Sequence, residues 1–206
     1  VRKYFYIRSK SRYYILMIET LIYLHGFASS SDSDKARIFQ KYISSIKKSV
    51  NLIVPDLSNS FQDAVNQIEQ IIKSNQLPVA FIGSSLGGYY ASYFSSKYNS
   101  KAVLINPAIP PLEGFDIYLG ENENYATGEK FVLKKDDIKF IRSILNKKYN
   151  NQKNTLLLVE SRDEVLNYTK TLAYFKGSFI DINFGGSHSY ESLEEKLEKI
   201  RNFLEI

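Results

Sequence analysis

The sequence contains no cysteine. That excludes disulfides, a thiol nucleophile and thiolate-held zinc or iron–sulfur centres, and it fits a reducing, cytoplasmic setting. Histidine is nearly as scarce: His25 and His188 are the only two, too few for a multi-histidine metal site. No run of 18 or more apolar residues exists, which excludes a membrane-spanning helix. Acidic residues are missing from residues 1–16, which carry Arg2, Lys3, Arg8, Lys10 and Arg12. With those five set aside, Lys+Arg falls from 27 to 22 and equals the 22 Asp+Glu, so the formal net charge of +5 belongs to this short segment. The rest of the chain has no charge excess that would suit a nucleic acid.

The basic segment runs into an apolar stretch, as a targeting peptide would. However, Glu19 interrupts that stretch and no small-residue cleavage site follows. We expect Met17 to be the native start, and residues 1–16 to be a non-core extension read from an alternative upstream start codon. The intact mass of the natively expressed protein tests this.

The 206 residues suit one domain. It is expected over 17–206, with a small lid-like insertion at roughly 108–150. Short apolar runs at 21–24, 52–54, 79–82, 102–105, 156–159 and 179–182 read as strands. Between them lie stretches with helical spacing: 34–46, a helix capped by Ser60, 86–98, 136–145, 166–175 and 190–204. Six apolar strands alternating with helices predict a three-layer α/β fold around a mostly parallel sheet. Ligands of such sheets bind beyond the carboxyl ends of the strands, so the residues just after each strand are the ones to inspect.

One of those places holds Gly83-Ser84-Ser85-Leu86-Gly87, a G-x-S-x-G pattern. Alone it arises by chance in about one chain of this size in fifteen. Here it follows an apolar strand and opens a helix, the setting that raises a serine hydroxyl above the sheet edge as a nucleophile. Gly83 and Gly87 flank the sharp turn, and Gly88 leaves room for close packing of the helix. A serine nucleophile needs a base. His25 precedes Ser85 in a His-Gly-Phe turn and reads as structural. His188, after the last strand, is the remaining candidate. The acid should follow the penultimate strand, where Asp163 has the right place, with Val165 anchoring its loop in the core. Glu164 is the alternative acid, and Asp181, inside the next strand, is a weaker one. An oxyanion hole needs two backbone donors, expected at Leu86 and Phe27. Phe27, Tyr89, Tyr90, Ile109 and Leu112 are candidates for an acyl pocket, and each aromatic suits core packing as well.

The blocks MIETLIYLHGF (17–27), IGSSLGGYYASYFSSKY (82–98), INPAIPP (105–111), RDEVLNY (162–168) and GGSHSYES (185–192) resemble those of YqiA-like bacterial esterases. The likeness covers essentially 17–206. It implies an α/β-hydrolase fold, a Ser85–Asp163–His188 triad and hydrolysis of small carboxylic esters without metal or cofactor. It also supports Met17 as the start. Ser161-Arg162 stands where a glycine commonly sits in that family, which keeps Asp163 and Glu164 both open. A thioesterase, an acyltransferase or a perhydrolase would use the same residues. A non-catalytic binding module is the alternative of a different class. Oligomeric state is not legible.

Overall fold

The computed structural model describes residues 6–9, 12–15, 18–46, 49–75, 78–145 and 148–206, the first two segments by backbone alone. The expected start at Met17 lies outside the described residues. Upstream, β1 (Tyr6–Ser9) and β2 (Arg12–Ile15) form a separate antiparallel ribbon.

The apolar runs become β3 (Thr20–Leu24), β4 (Asn51–Ile53), β5 (Val79–Ser84), β6 (Ala102–Ile105), β9 (Thr155–Glu160) and β10 (Phe179–Asn183). They form one sheet in the order β10-β9-β6-β5-β3-β4, and every pairing in it is parallel. Both faces are covered, as a parallel sheet requires. Alternate side chains feed the two layers, because strand residues point to opposite faces. Leu21, Tyr23, Ala80, Ile82, Val103 and Ile105 pack with Ala36, Phe39 and Ile43 of α1 (Asp34–Ser45) and with Leu193, Ile200 and Leu204 of α6 (Leu193–Leu204). Ile22, Leu24, Phe81 and Leu104 pack on the other side, against α2 (Phe61–Ser74) and α3 (Leu86–Tyr98). Ser60 caps α2 as expected, accepting from the Asp63 N–H.

The chain moves outward from β3 to β4 and then returns to the opposite side of β3 as β5. A fixed crossover hand requires α1 and α2 to lie on opposite faces, and they do. The loops after β3 and β5 therefore diverge, opening a crevice at the switch point.

The insertion is built from a 3₁₀ turn at Phe115–Tyr118, a hairpin of β7 (Gly120–Glu123) and β8 (Lys130–Leu133), and α4 (Lys135–Ser143). The hairpin has no counterpart among the expected elements. Ile138 and Ile141 of α4 are buried against the core. α5 (Tyr168–Tyr174) starts at Asn167, whose Oδ1 accepts from the N–H groups of Thr169 and Lys170. No helix among the described residues is long and apolar enough to cross a membrane.

Candidate active site

Ser85 occupies the turn between β5 and α3 with φ 55° and ψ −121°, a conformation that L-residues rarely adopt. Holding a non-glycine residue there costs on the order of 1–3 kcal/mol. The neighbours make the turn possible. A Cβ on Gly83 would run into the Gly87 carbonyl, and one on Gly87 would strike the Leu24 carbonyl. A Cβ on Gly88 would meet Pro107. The turn is pinned by the Ser85 N–H donating to the Ile105 carbonyl at 3.1 Å and by the Ser85 carbonyl accepting from Ala108 at 3.0 Å.

His188 arrives from the loop between β10 and α6. Its Nε2 lies 3.0 Å from Ser85 Oγ. Its Nδ1 lies 2.9 and 3.0 Å from the two carboxylate oxygens of Asp163. An ionised carboxylate only accepts, so Nδ1 carries the proton and Nε2 is left to accept from the serine hydroxyl. The Asp163 side chain is 2 % exposed and that of His188 22 %.

Asp163 Oδ1 also accepts from the N–H groups of Val165 (2.9 Å) and Leu166 (2.8 Å). This corrects the expected anchor. Val165 is 57 % exposed, and it is Leu166 that packs on the core. The aspartate holds its own loop by a local turn, so no buried valine is needed. Glu164 turns elsewhere: its Oε2 accepts the backbone N–H of His188 at 2.9 Å, which holds its pKa below the usual carboxylate range. Asp181 is ion-paired with Lys196 and Lys199 of α6.

His25 is buried, and its Nε2 accepts the Leu57 N–H at 2.9 Å. Burial lowers its pKa, against the opposing hydrogen bond to the Gly26 carbonyl and the charge of Asp56. It therefore ties the loop after β4 to the loop after β3. A Cβ placed on Gly26 would lie 3.8 Å from Ser85 Oγ, so this backbone runs alongside the serine into Phe27. Leu86 is the first residue of α3, where an N–H has no partner within its own helix.

A cavity of about 1030 Å³ opens over Ser85 and His188. Gly26, Phe27 and Leu86 line it close to the serine, and Ile109, Leu112 and Phe115 of the insertion line its apolar part. Tyr89 and Tyr90 do not. Both are buried in the core, and the Tyr89 hydroxyl donates to the Ile141 carbonyl at 2.8 Å. That bond places Tyr89 under the insertion. Among the described residues no group of three His, Cys, Asp or Glu is placed to hold a metal ion.

Sequence reasoning assigned no role to Glu160, Asn106 or Lys35, which surround the His188 loop. The available signal was Glu160 itself: a carboxylate ends an otherwise apolar strand, yet it is fully buried.

The parallel sheet, the strained serine turn and the late histidine loop define the fold of the α/β-hydrolases. Solved structures agree. Est1E from Butyrivibrio proteoclasticus superposes with a TM-score of 0.69 at 16% identity, covering 98% of this chain and 97% of that one. Mouse alpha/beta hydrolase domain-containing protein 10 gives 0.71 at 14%, covering 99% of both. Within that fold the chain belongs to the family described as "Uncharacterised protein family (UPF0227)", which it matches over residues 20–205. A relative in that family, YcfP of Escherichia coli, is 26% identical over 188 residues, 89% of this chain and 97% of the relative.

Proposed function

We propose that this protein is a serine esterase that hydrolyses small carboxylic esters, with residues 17–206 as its catalytic domain. The observation that carries the reading is the chain of contacts Asp163–His188–Ser85, at 2.9 and 3.0 Å, at the floor of an apolar cavity.

Ser85 Oγ attacks the acyl carbonyl as His188 Nε2 takes its proton. Asp163 keeps the imidazole in the required tautomer and stabilises the imidazolium. The amides of Phe27 and Leu86 bind the developing oxyanion, aided by the N-terminus of α3. His188 then returns the proton to the leaving alcohol, and water cleaves the acyl-enzyme by the same steps. Ile109, Leu112 and Phe115 receive the acyl group. No metal or cofactor takes part in this scheme, and a cysteine-free chain suits a cytoplasmic setting.

The test is a chain-length panel of p-nitrophenyl esters on the wild type and on Ser85→Ala, with fluorophosphonate labelling of both. Turnover and labelling in the wild type alone are expected. Undiminished turnover in Ser85→Ala would remove the reading.

A further inference from the structure

The loop that delivers His188 opens on the exposed Phe184 and continues as Gly185-Gly186-Ser187, with Gly185 at φ 121° and Gly186 at φ 67°. Such a segment has almost no side chains to pack and a permissive backbone. A catalytic imidazole, by contrast, must be held within about 0.5 Å of its working position. Something other than packing has to hold it.

Glu160 supplies one hold. Its Oε2 accepts from the N–H groups of Ser187 (2.8 Å) and Glu191 (3.0 Å). Its Oε1 accepts from the N–H (2.9 Å) and hydroxyl (2.7 Å) of Ser192 and from Asn183 Nδ2 (3.2 Å). Burial works to raise the pKa of this carboxyl, but the hydrogen bonds from Ser192, Ser187 and Glu191 outweigh it, and the group stays below its ordinary value. The carboxylate so fills its niche that a Cβ on Gly186 would collide with it. Asn106 links the same parts. Its Oδ1 accepts the Glu160 N–H at 2.9 Å, and its Nδ2 donates to the carbonyls of Ser187 (2.9 Å) and His188 (3.3 Å). Lys35 holds the far side. From α1 its Nζ donates to the Ser189 carbonyl at 2.8 Å, and the Glu160 charge lies within its Coulombic reach.

We propose that Glu160 and Lys35 are positioning residues that clamp the backbone on either side of His188, through Ser187 and Ser189, and so fix its imidazole between Ser85 and Asp163. The function rests on the esterase reading above. The clamp itself is a statement about geometry and can be read without turnover.

The test uses Glu160→Ala, Glu160→Gln and Lys35→Met, each checked for folding by circular dichroism. With only two histidines in the chain, the downfield imidazole proton shared with Asp163 is assigned in the proton NMR spectrum by its loss in His188→Ala. Glu160→Ala should lose this resonance and lower kcat by about 100-fold with KM changed less than about threefold, the signature of a displaced catalytic group. Glu160→Gln keeps one acceptor oxygen but turns its NH2 against N–H donors on the other side, and should fall between Glu160→Ala and the wild type in both. Lys35→Met keeps the stem of the side chain and should lower kcat by about tenfold, again without moving KM. An unchanged resonance and kcat in Glu160→Ala and Lys35→Met overturns the proposal. So does a rise in KM at constant kcat, which would place these residues on substrate binding. A wild type that shows the resonance and its loss in Glu160→Ala but hydrolyses no ester supports the clamp and removes only the esterase reading.

Discussion

Ser85 Oγ and His188 Nε2 lie 3.0 Å apart although 103 residues separate them in the chain. The contact exists because Ser85 directly follows β5 and the His188 loop follows β10, so both stand at the carboxyl edge of one parallel sheet. Removing the hydroxyl should abolish ester turnover, with a fall of at least about 10⁴-fold in kcat for Ser85→Ala. Ser85→Gly adds a second readout. Glycine tolerates positive φ without the clash a side chain suffers, so this variant should be inactive yet more stable than the wild type by about 1 kcal/mol. Denaturant midpoints check it. A Ser85→Gly protein no more stable than Ser85→Ala would show that the turn stores no strain.

The two neighbouring carboxylates should separate cleanly by mutation. Asp163 meets the imidazole, and Glu164 meets the backbone N–H of His188. Asp163→Asn presents an amide where a negative acceptor is needed and should lower kcat by about 10⁴-fold. Glu164→Gln keeps an acceptor oxygen for the N–H and should cost less than about tenfold. The reverse order would move the acid to Glu164.

Most of the sheet was legible because β3, β5, β6 and β9 are buried on both faces and read as unbroken apolar runs, such as Leu156-Leu157-Leu158-Val159. The hairpin of β7 and β8 was not. Gly-Glu-Asn-Glu has no apolar alternation, and its place depends on Asn124. That side chain donates to the Ser29 carbonyl at 3.0 Å and accepts from Ala126 and Thr127. Ser85, Asp163 and His188 were legible because each residue type is tied to a strand end. Tyr89 and Val165 were misread for a shared reason. Residue type says that a side chain is apolar but not which way it points, and Tyr89 points under the insertion while Val165 is exposed at the cavity. Glu160 was passed over because a strand-end carboxylate reads as a solvated loop unless its N–H partners, 27 to 32 residues downstream, are seen.

Stability should depend on His25 in mildly acid solution. Burial holds its folded pKa below the ordinary value of about 6.5. The unfolded chain therefore takes up the proton first, and protonation favours unfolding. The stability contributed by neutral His25 is complete above about pH 6.5 and declines as the pH falls from there toward its folded pKa. His25→Gln offers an amide oxygen to the Leu57 N–H but cannot titrate. Its unfolding free energy should fall less than that of the wild type between about pH 7 and 5. Parallel slopes for the two proteins would refute the assignment.

The cavity wall depends on a single arginine. Arg142 of α4 forms a two-pronged ion pair with Asp116, at 3.1 and 2.5 Å. It also donates to the carbonyls of Pro111 (2.8 Å) and Leu112 (3.2 Å). Leu112 lines the cavity and sits at φ 60°, so its backbone is held against its own preference. Arg142→Met removes all of these bonds while keeping an apolar stem. The wall should relax and bind apolar acyl chains less well, raising KM about fivefold for the longer esters with kcat nearly unchanged, because the Ser85–His188 contact is untouched. Asp116→Asn is the sharper comparison. It weakens the ion pair but leaves Arg142 bonded to both carbonyls, and an exposed pair alone is worth at most about 1 kcal/mol. Its KM should therefore stay near that of the wild type. If Asp116→Asn raises KM as much as Arg142→Met does, the ion pair and not the hold on Leu112 shapes the wall. If both lower kcat instead, the insertion acts on the catalytic groups and not on the acyl chain.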